Sequence, residues 1–135
     1  MKKQVVAFFL GICFCLLLAS CMRDERSQAK KVVEDFLEAV QHDDETRASL
    51  LMPFLNTVNS EEKKALLSFF KGIASENYLL SVPDKKGSLY TVTLSLPGSE
   101  DSTIHYSFEL IKESDKTWII KDRVTQKITY EAFML

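Results

Sequence analysis

Cysteine is missing from most of this chain. Of its 135 residues only Cys13, Cys15 and Cys21 carry a thiol, and all three fall within the first 21 positions. Everything downstream must therefore fold without disulfide staples and without thiolate metal ligands. Histidine is nearly as scarce. His42 and His105 have no cysteine to join them and no suitably clustered carboxylates, so neither a metal nor a cofactor is expected. With 4 glycines and 3 prolines the chain has no glycine-rich phosphate loop, no G-x-S-x-G elbow and no repeat or low-complexity stretch. A basic surplus is absent too, at 17 Lys+Arg against 19 Asp+Glu. Past residue 20 the only adjacent basic pairs are Lys30-Lys31, Lys63-Lys64 and Lys85-Lys86, each read as a solvated helix face or turn. Without a clustered positive surface, nucleic acid is not an expected partner.

What the chain does have comes first at its N-terminus. Lys2 and Lys3 precede an apolar run from Val5 to Leu18, and the small residues Ala19 and Ser20 follow, the layout of a secretion signal. Val5 to Ala19 is only 15 residues long and includes Gly11, whereas a spanning helix needs roughly 18 to 20 apolar residues. The tetrad Leu18-Ala19-Ser20-Cys21 resembles the bacterial lipoprotein signal. That resemblance implies a diacylglycerol on the Cys21 thiol and cleavage just before it by signal peptidase II. Each buried CH₂ contributes about 0.8 kcal/mol, so a pair of acyl chains would hold the protein on a bilayer without a spanning helix. Met22 stands where an aspartate would mark inner-membrane retention, which by resemblance points to an outer-membrane anchor in a two-membrane cell.

On this reading residues 1–20 are the signal, 21–27 the lipidated cysteine with a short polar tether, and 28–135 one domain. Lys2 and Lys3 leave with the signal, so 15 basic residues face 19 acidic ones in the remaining 115 residues, enough for a single core. From Gln28 to Gln41 the apolar residues Val32, Val33, Phe36, Leu37 and Val40 recur with helical spacing. Asp43 or Asp44 can cap a second, shorter helix that Pro53 limits. Asn59 with Glu62 opens a third helix carrying Ala65, Leu66, Phe69, Phe70 and Ile73, with Lys71 and Gly72 marking its end.

After Ser75 the period becomes two. Tyr78 to Val82 reads as a first strand. Tyr90, Val92, Leu94 and Leu96 then alternate with polar neighbours, as do Ile104, Tyr106, Phe108 and Leu110, and Trp118 with Ile120 opens another strand. Turn signals separate them at Pro83 to Gly87, Pro97 to Asp101 and Glu113 to Lys116. Helices followed by an antiparallel meander make an α+β fold, with helices packed on one face of the sheet. The opening Ala29 to Val40, the Asp43-Asp44 helix start, the long hairpin and the late Thr117-Trp118-Ile119-Ile120-Lys121-Asp122 resemble the nuclear transport factor 2-like superfamily, and within it small bacterial lipoproteins. That resemblance implies a cone-shaped domain whose curved sheet wraps a long helix and leaves a pocket at its open end.

Enzymes of that superfamily place acid/base residues on the concave sheet face, so the candidates follow from strand parity. Counting by twos from Trp118 brings Asp122 and Gln126 inward beside Tyr90 and Tyr106. A carboxylate desolvated there would have a raised pKa and could act as a base. Asp122-Arg123 is equally a turn or bulge that exposes the carboxylate to water. Tyr90, Tyr106, Phe108 and Trp118 are the ligand-binding candidates, although aromatic stripes also build cores. His105 falls on the solvated parity. Two function classes result: a lipid-anchored binding or interaction module taking an apolar or peptide-like ligand or an envelope protein, and a small isomerase or dehydratase using Asp122. Phe133, Met134 and Leu135 could instead fold back and fill the mouth of the cone.

Overall fold

The computed structural model describes residues 25–130 apart from Val82 and Lys116; the signal segment, Cys21 and Phe133 to Leu135 lie outside the described residues. Among the described residues no helix is long and apolar enough to cross a membrane. The first helix, α1, covers 25–41, so residues 25 to 27, expected as tether, are helical. Its buried residues Ala29, Val32, Val33, Phe36, Leu37, Ala39 and Val40 form the apolar stripe expected from their spacing. The helix closes in a Schellman arrangement. Asp43 takes a left-handed φ of 57°, its N–H donates to Val40 O (3.3 Å), and Asp44 N–H donates to Ala39 O (2.8 Å).

Asp44 then caps α2 (Glu45–Leu51), its side chain accepting from Arg47 N. Pro53 starts a 3-10 turn, Pro53–Asn56. Asn59 caps α3 (Ser60–Ala74) by accepting from Glu62 N at 2.8 Å. Lys71 and Gly72 do not end α3 as expected. Buried Ile73 and Ala74 hold the last turn on the core, and Ser75 Oγ closes it by donating to Lys71 O (2.8 Å). Tertiary packing here outweighs the roughly 1 kcal/mol that an internal glycine costs.

Among the described residues five strands follow: β1 (Leu79–Leu80), β2 (Asp84–Lys86), β3 (Leu89–Pro97), β4 (Ser102–Ser114) and β5 (Thr117–Tyr130). All pair antiparallel in the order β1-β3-β4-β5, with β2 sharing the β3 edge with β1. The expected strand from Tyr78 to Val82 shortens to Leu79–Leu80, and the expected Pro83–Gly87 turn contains β2; the reversal falls at Gly87, whose φ is 60°. On β3 Tyr90, Val92, Leu94 and Leu96 are buried, alternating with half-buried Leu89, Thr91, Thr93 and Ser95, and Pro97 at the end is exposed. Between β3 and β4, Glu100 and Asp101 both take positive φ, as a type I′ turn requires. The outer face is polar. Ser95 Oγ lies 2.8 Å from His105 Nδ1, and His105 Nε2 lies 2.9 Å from Thr129 Oγ1, a chain of contacts across three strands.

Among the described residues the architecture is thus α+β, three helices packed on an antiparallel sheet that does not close. Phe36 on α1 sits at its centre, edge-on to Phe70 of α3 (5.2 Å between ring centroids) and to Phe108 of β4 (6.5 Å). Near the middle of β5 the register shifts: Phe108 faces Val124 but Leu110 faces Ile120, so Lys121 to Arg123 bulge opposite Glu109.

Candidate functional site

Two ends of the sheet's inner face carry polar groups against aromatic ones. At the first end, Tyr90 and Trp118 stack edge-on at 5.0 Å under the first turns of α1. Tyr90 Oη donates to Glu25 Oε2, Lys112 Nζ reaches Glu25 Oε1 (3.4 Å), and Trp118 Nε1 donates to Gln28 Oε1 (3.2 Å). The bond from Tyr90 holds the Glu25 carboxyl below its ordinary value, helped by Lys112 and opposed by desolvation. Burial, reinforced by Glu25, pushes the Tyr90 phenol up. This is a clasp between α1 and the sheet. With its polar atoms turned on one another, it offers a ligand little.

The second end is open. A groove of about 290 Å³ runs between Met52 and Phe54 at the 3-10 turn, Leu66, Phe69 and Phe70 of α3, and Tyr106, Asp122, Val124 and Gln126 of the sheet. Its size sits at the small end of ligand sites, enough for one or two apolar side chains. Phe69 stands edge-on to Tyr106 at 5.7 Å yet keeps 46% of its surface exposed, unusual for a large apolar side chain flanked by other aromatics. Gln126 Nε2 donates to Tyr106 Oη (3.1 Å), and Asp122 lies exposed at the rim. These atoms can orient a polar backbone or headgroup. A larger cleft of about 380 Å³ lies between the α1–α2 junction and α3, lined largely by charged groups including Asp43, Asp44, Lys64 and Lys71. Lys71 Nζ there meets Asp43 Oδ1 at 2.9 Å. With Asp43 held by Lys71 and Asp44 engaged as the α2 cap, the smaller, apolar groove is the better candidate.

The four aromatic candidates are not brought together. Tyr90 and Trp118 belong to the clasp, Phe108 is fully buried against Phe36 and Phe70, and Tyr106 alone lines the groove. Asp122 and Gln126 lie with Tyr106 but not beside Tyr90, which sits four residues from Leu94, the cross-strand partner of Tyr106. Asp122 lines the groove from inside the bulge. Water therefore reaches its carboxylate, and the strand continues beyond it to Tyr130. Sequence reasoning missed Met52, Phe54, Leu66, Phe69 and Phe70 as walls. The available signal was the breadth of α3's apolar surface: Leu66, Leu67, Phe69 and Phe70 cover more of the helix than one core-facing stripe requires. His42 and His105 both lie away from the groove, and no metal-holding group of His, Cys, Asp and Glu occurs among the described residues. No protein-family model, no curated protein and no solved structure matches this chain.

Proposed function

We propose that this protein is a lipid-anchored component of a cell envelope that binds an apolar segment of a peptide or of another envelope protein in the groove beneath Phe69. The observation that carries this reading is the combination of a solvent-open apolar groove with a half-exposed aromatic side chain at its edge. The tetrad ending at Cys21 supports the anchor, with an outer-membrane location favoured by Met22 in a two-membrane cell. Helices packed on an open antiparallel sheet agree with a nuclear transport factor 2-like domain, and we assign the fold there. At most three residues separate Cys21 from the described part of α1. The end of the sheet that carries the clasp would therefore sit next to the bilayer, with the groove opening at the opposite end.

Two measurements test this. Intact mass of the membrane fraction should show a diacylglycerol-modified chain starting at Cys21, and Cys21→Ser should abolish it; an unmodified chain starting elsewhere refutes the anchor. For the groove, the full chain in lipid nanodiscs should bind a labelled, uncharged peptide of alternating phenylalanine and serine. Phe69→Asp should lose that binding while Leu50→Asp, at another exposed apolar residue, keeps it. Equal effects of the two substitutions would refute the site. A second reading rests on Asp122 lying with Tyr106 and Gln126 at one groove: an isomerase or dehydratase in which Asp122 takes a proton. Asp122→Asn would abolish any such turnover, and unchanged turnover removes the residue as base.

A further inference from the structure

The far edge of β5 has no strand beside it among the described residues. Every residue from Thr125 to Tyr130 is exposed. α2 and the 3-10 turn pack against part of β5, but over this exposed stretch the edge presents a row of backbone donors and acceptors that another extended chain can complete. What distinguishes this edge is its two-sided chemistry. On the inner side Val124 lines the groove, and Ile128 (46% exposed) and Tyr130 (70% exposed) continue its apolar surface two and four residues beyond Gln126. On the outer side Lys127 pairs across the strands with His105. Lys121 and Arg123 flank the groove-lining Asp122, so alternation turns both away from the groove. None of these three cations makes an ion pair among the described residues.

We propose that β5 accepts a peptide strand whose residues alternate between apolar and acidic, the apolar set entering the groove and the acidic set facing Arg123 and Lys127. This deepens the groove reading and rests on it. Charge fixes the register as well as the partner. Slipping the incoming strand by one residue would carry its acids to the inner side, where Asp122 repels them, and its apolar side chains to water. Arg123 and Lys127 are four residues apart, about 13 Å along a strand, so acidic residues at every second position of the peptide meet both. A second copy of this chain fits less well. Edge-to-edge pairing of two copies would bring the outer-face cations of both onto one surface, where like charges repel.

The test uses the full chain in nanodiscs and three labelled peptides: alternating phenylalanine and glutamate, the same residues in two blocks, and the uncharged phenylalanine–serine peptide. The alternating acidic peptide should bind about tenfold more tightly than the blocked one. Lys127→Glu or Arg123→Glu should each weaken it about tenfold while leaving the uncharged peptide unaffected. N-methylation of every second amide should abolish binding in one register and spare it in the other, since only one set of amides faces β5. Equal affinity of alternating and blocked peptides, or equal effects of the two methylation registers, overturns strand addition. If the uncharged peptide still binds in a Phe69-dependent way, the groove reading survives that outcome; if no peptide binds, both fall. Sedimentation showing a dimer that Ile128→Asp dissolves would identify a second copy as the occupant and likewise overturn the proposal.

Discussion

Phe36 is where α1, α3 and the sheet meet, and truncating it tests that packing most directly. Its side chain is fully buried, with Phe70 and Phe108 edge-on at 5.2 and 6.5 Å. Replacing a buried phenylalanine by alanine costs about 3 to 5 kcal/mol, depending on how far the walls collapse. Collapse is restricted here. One wall is α3 and the other is β4 in the middle of a hydrogen-bonded ladder, and each lost edge-to-face pair forfeits roughly 0.5 to 1.5 kcal/mol beyond burial. Phe36→Ala should therefore cost about 4 to 5 kcal/mol, a large share of the roughly 5 to 15 kcal/mol that stabilises a typical domain. Urea unfolding of the full chain in mild detergent, followed by Trp118 emission and by far-ultraviolet circular dichroism, measures it. With a slope of about 2 kcal/mol per molar urea, the midpoint should fall by roughly 2 M. Phe69→Ala is the internal control, expected to cost about 1 kcal/mol because Phe69 already contacts water. If Phe36→Ala shifts the midpoint no more than Phe69→Ala does, the three-ring contact does not hold the layers together.

Glu25, whose folded-state carboxyl lies below the ordinary value of 4.5, contributes stability above that pH and loses it as pH falls through the depressed value. The stability difference between the native chain and Glu25→Gln should accordingly shrink on acidification in urea titrations, and a difference constant down to strongly acidic pH would count against the clasp. Asp101 holds a left-handed φ of 59° at a turn position that suits glycine, so Asp101→Gly should raise stability by about 0.5 to 1 kcal/mol; a fall in melting temperature would contradict that backbone geometry. Trp118, 8% exposed beside Tyr90, should show blue-shifted emission that acrylamide quenches poorly, and Trp118→Ala should cost about 3 to 5 kcal/mol. Quenching as efficient as in the unfolded chain would refute its burial.

Periodic features were legible in the sequence because one period maps to one face. The stripe of α1, the alternation of β3 and β4, and the caps at Asp44 and Asn59 depend on residues within a few positions of one another. β2 was not legible: Asp84-Lys85-Lys86 has no apolar alternation, and its strand exists because β3 offers Leu89, Tyr90 and Thr91 as partners. The stop signals Lys71 and Gly72 fall inside the last turn of α3: its expected stripe already reached Ile73, and tertiary contacts carry the helix one residue further, to Ala74. Trp118 packs on the first turns of α1 through a bond spanning 90 residues in sequence, a contact that no local pattern marks. The groove is a relation between α3, the 3-10 turn and β5. No local pattern encodes such a relation, and only Tyr106, Asp122, Val124 and Gln126 among its walls could be anticipated from strand parity.

The bulge in β5 sets a rule for how this gene can change length. Three residues, Lys121 to Arg123, stand where β4 supplies only Glu109, and the surplus of two leaves Ile120 and Val124 on the same side of the sheet. Excising Asp122 together with Arg123 would straighten the strand and leave everything after it on its present side. Losing one residue alone would turn the rest of the strand over, sending Lys127 toward the groove and Ile128 toward water. Insertions and deletions at this point should therefore survive in twos and fail in ones, much as a reading frame tolerates changes only in threes.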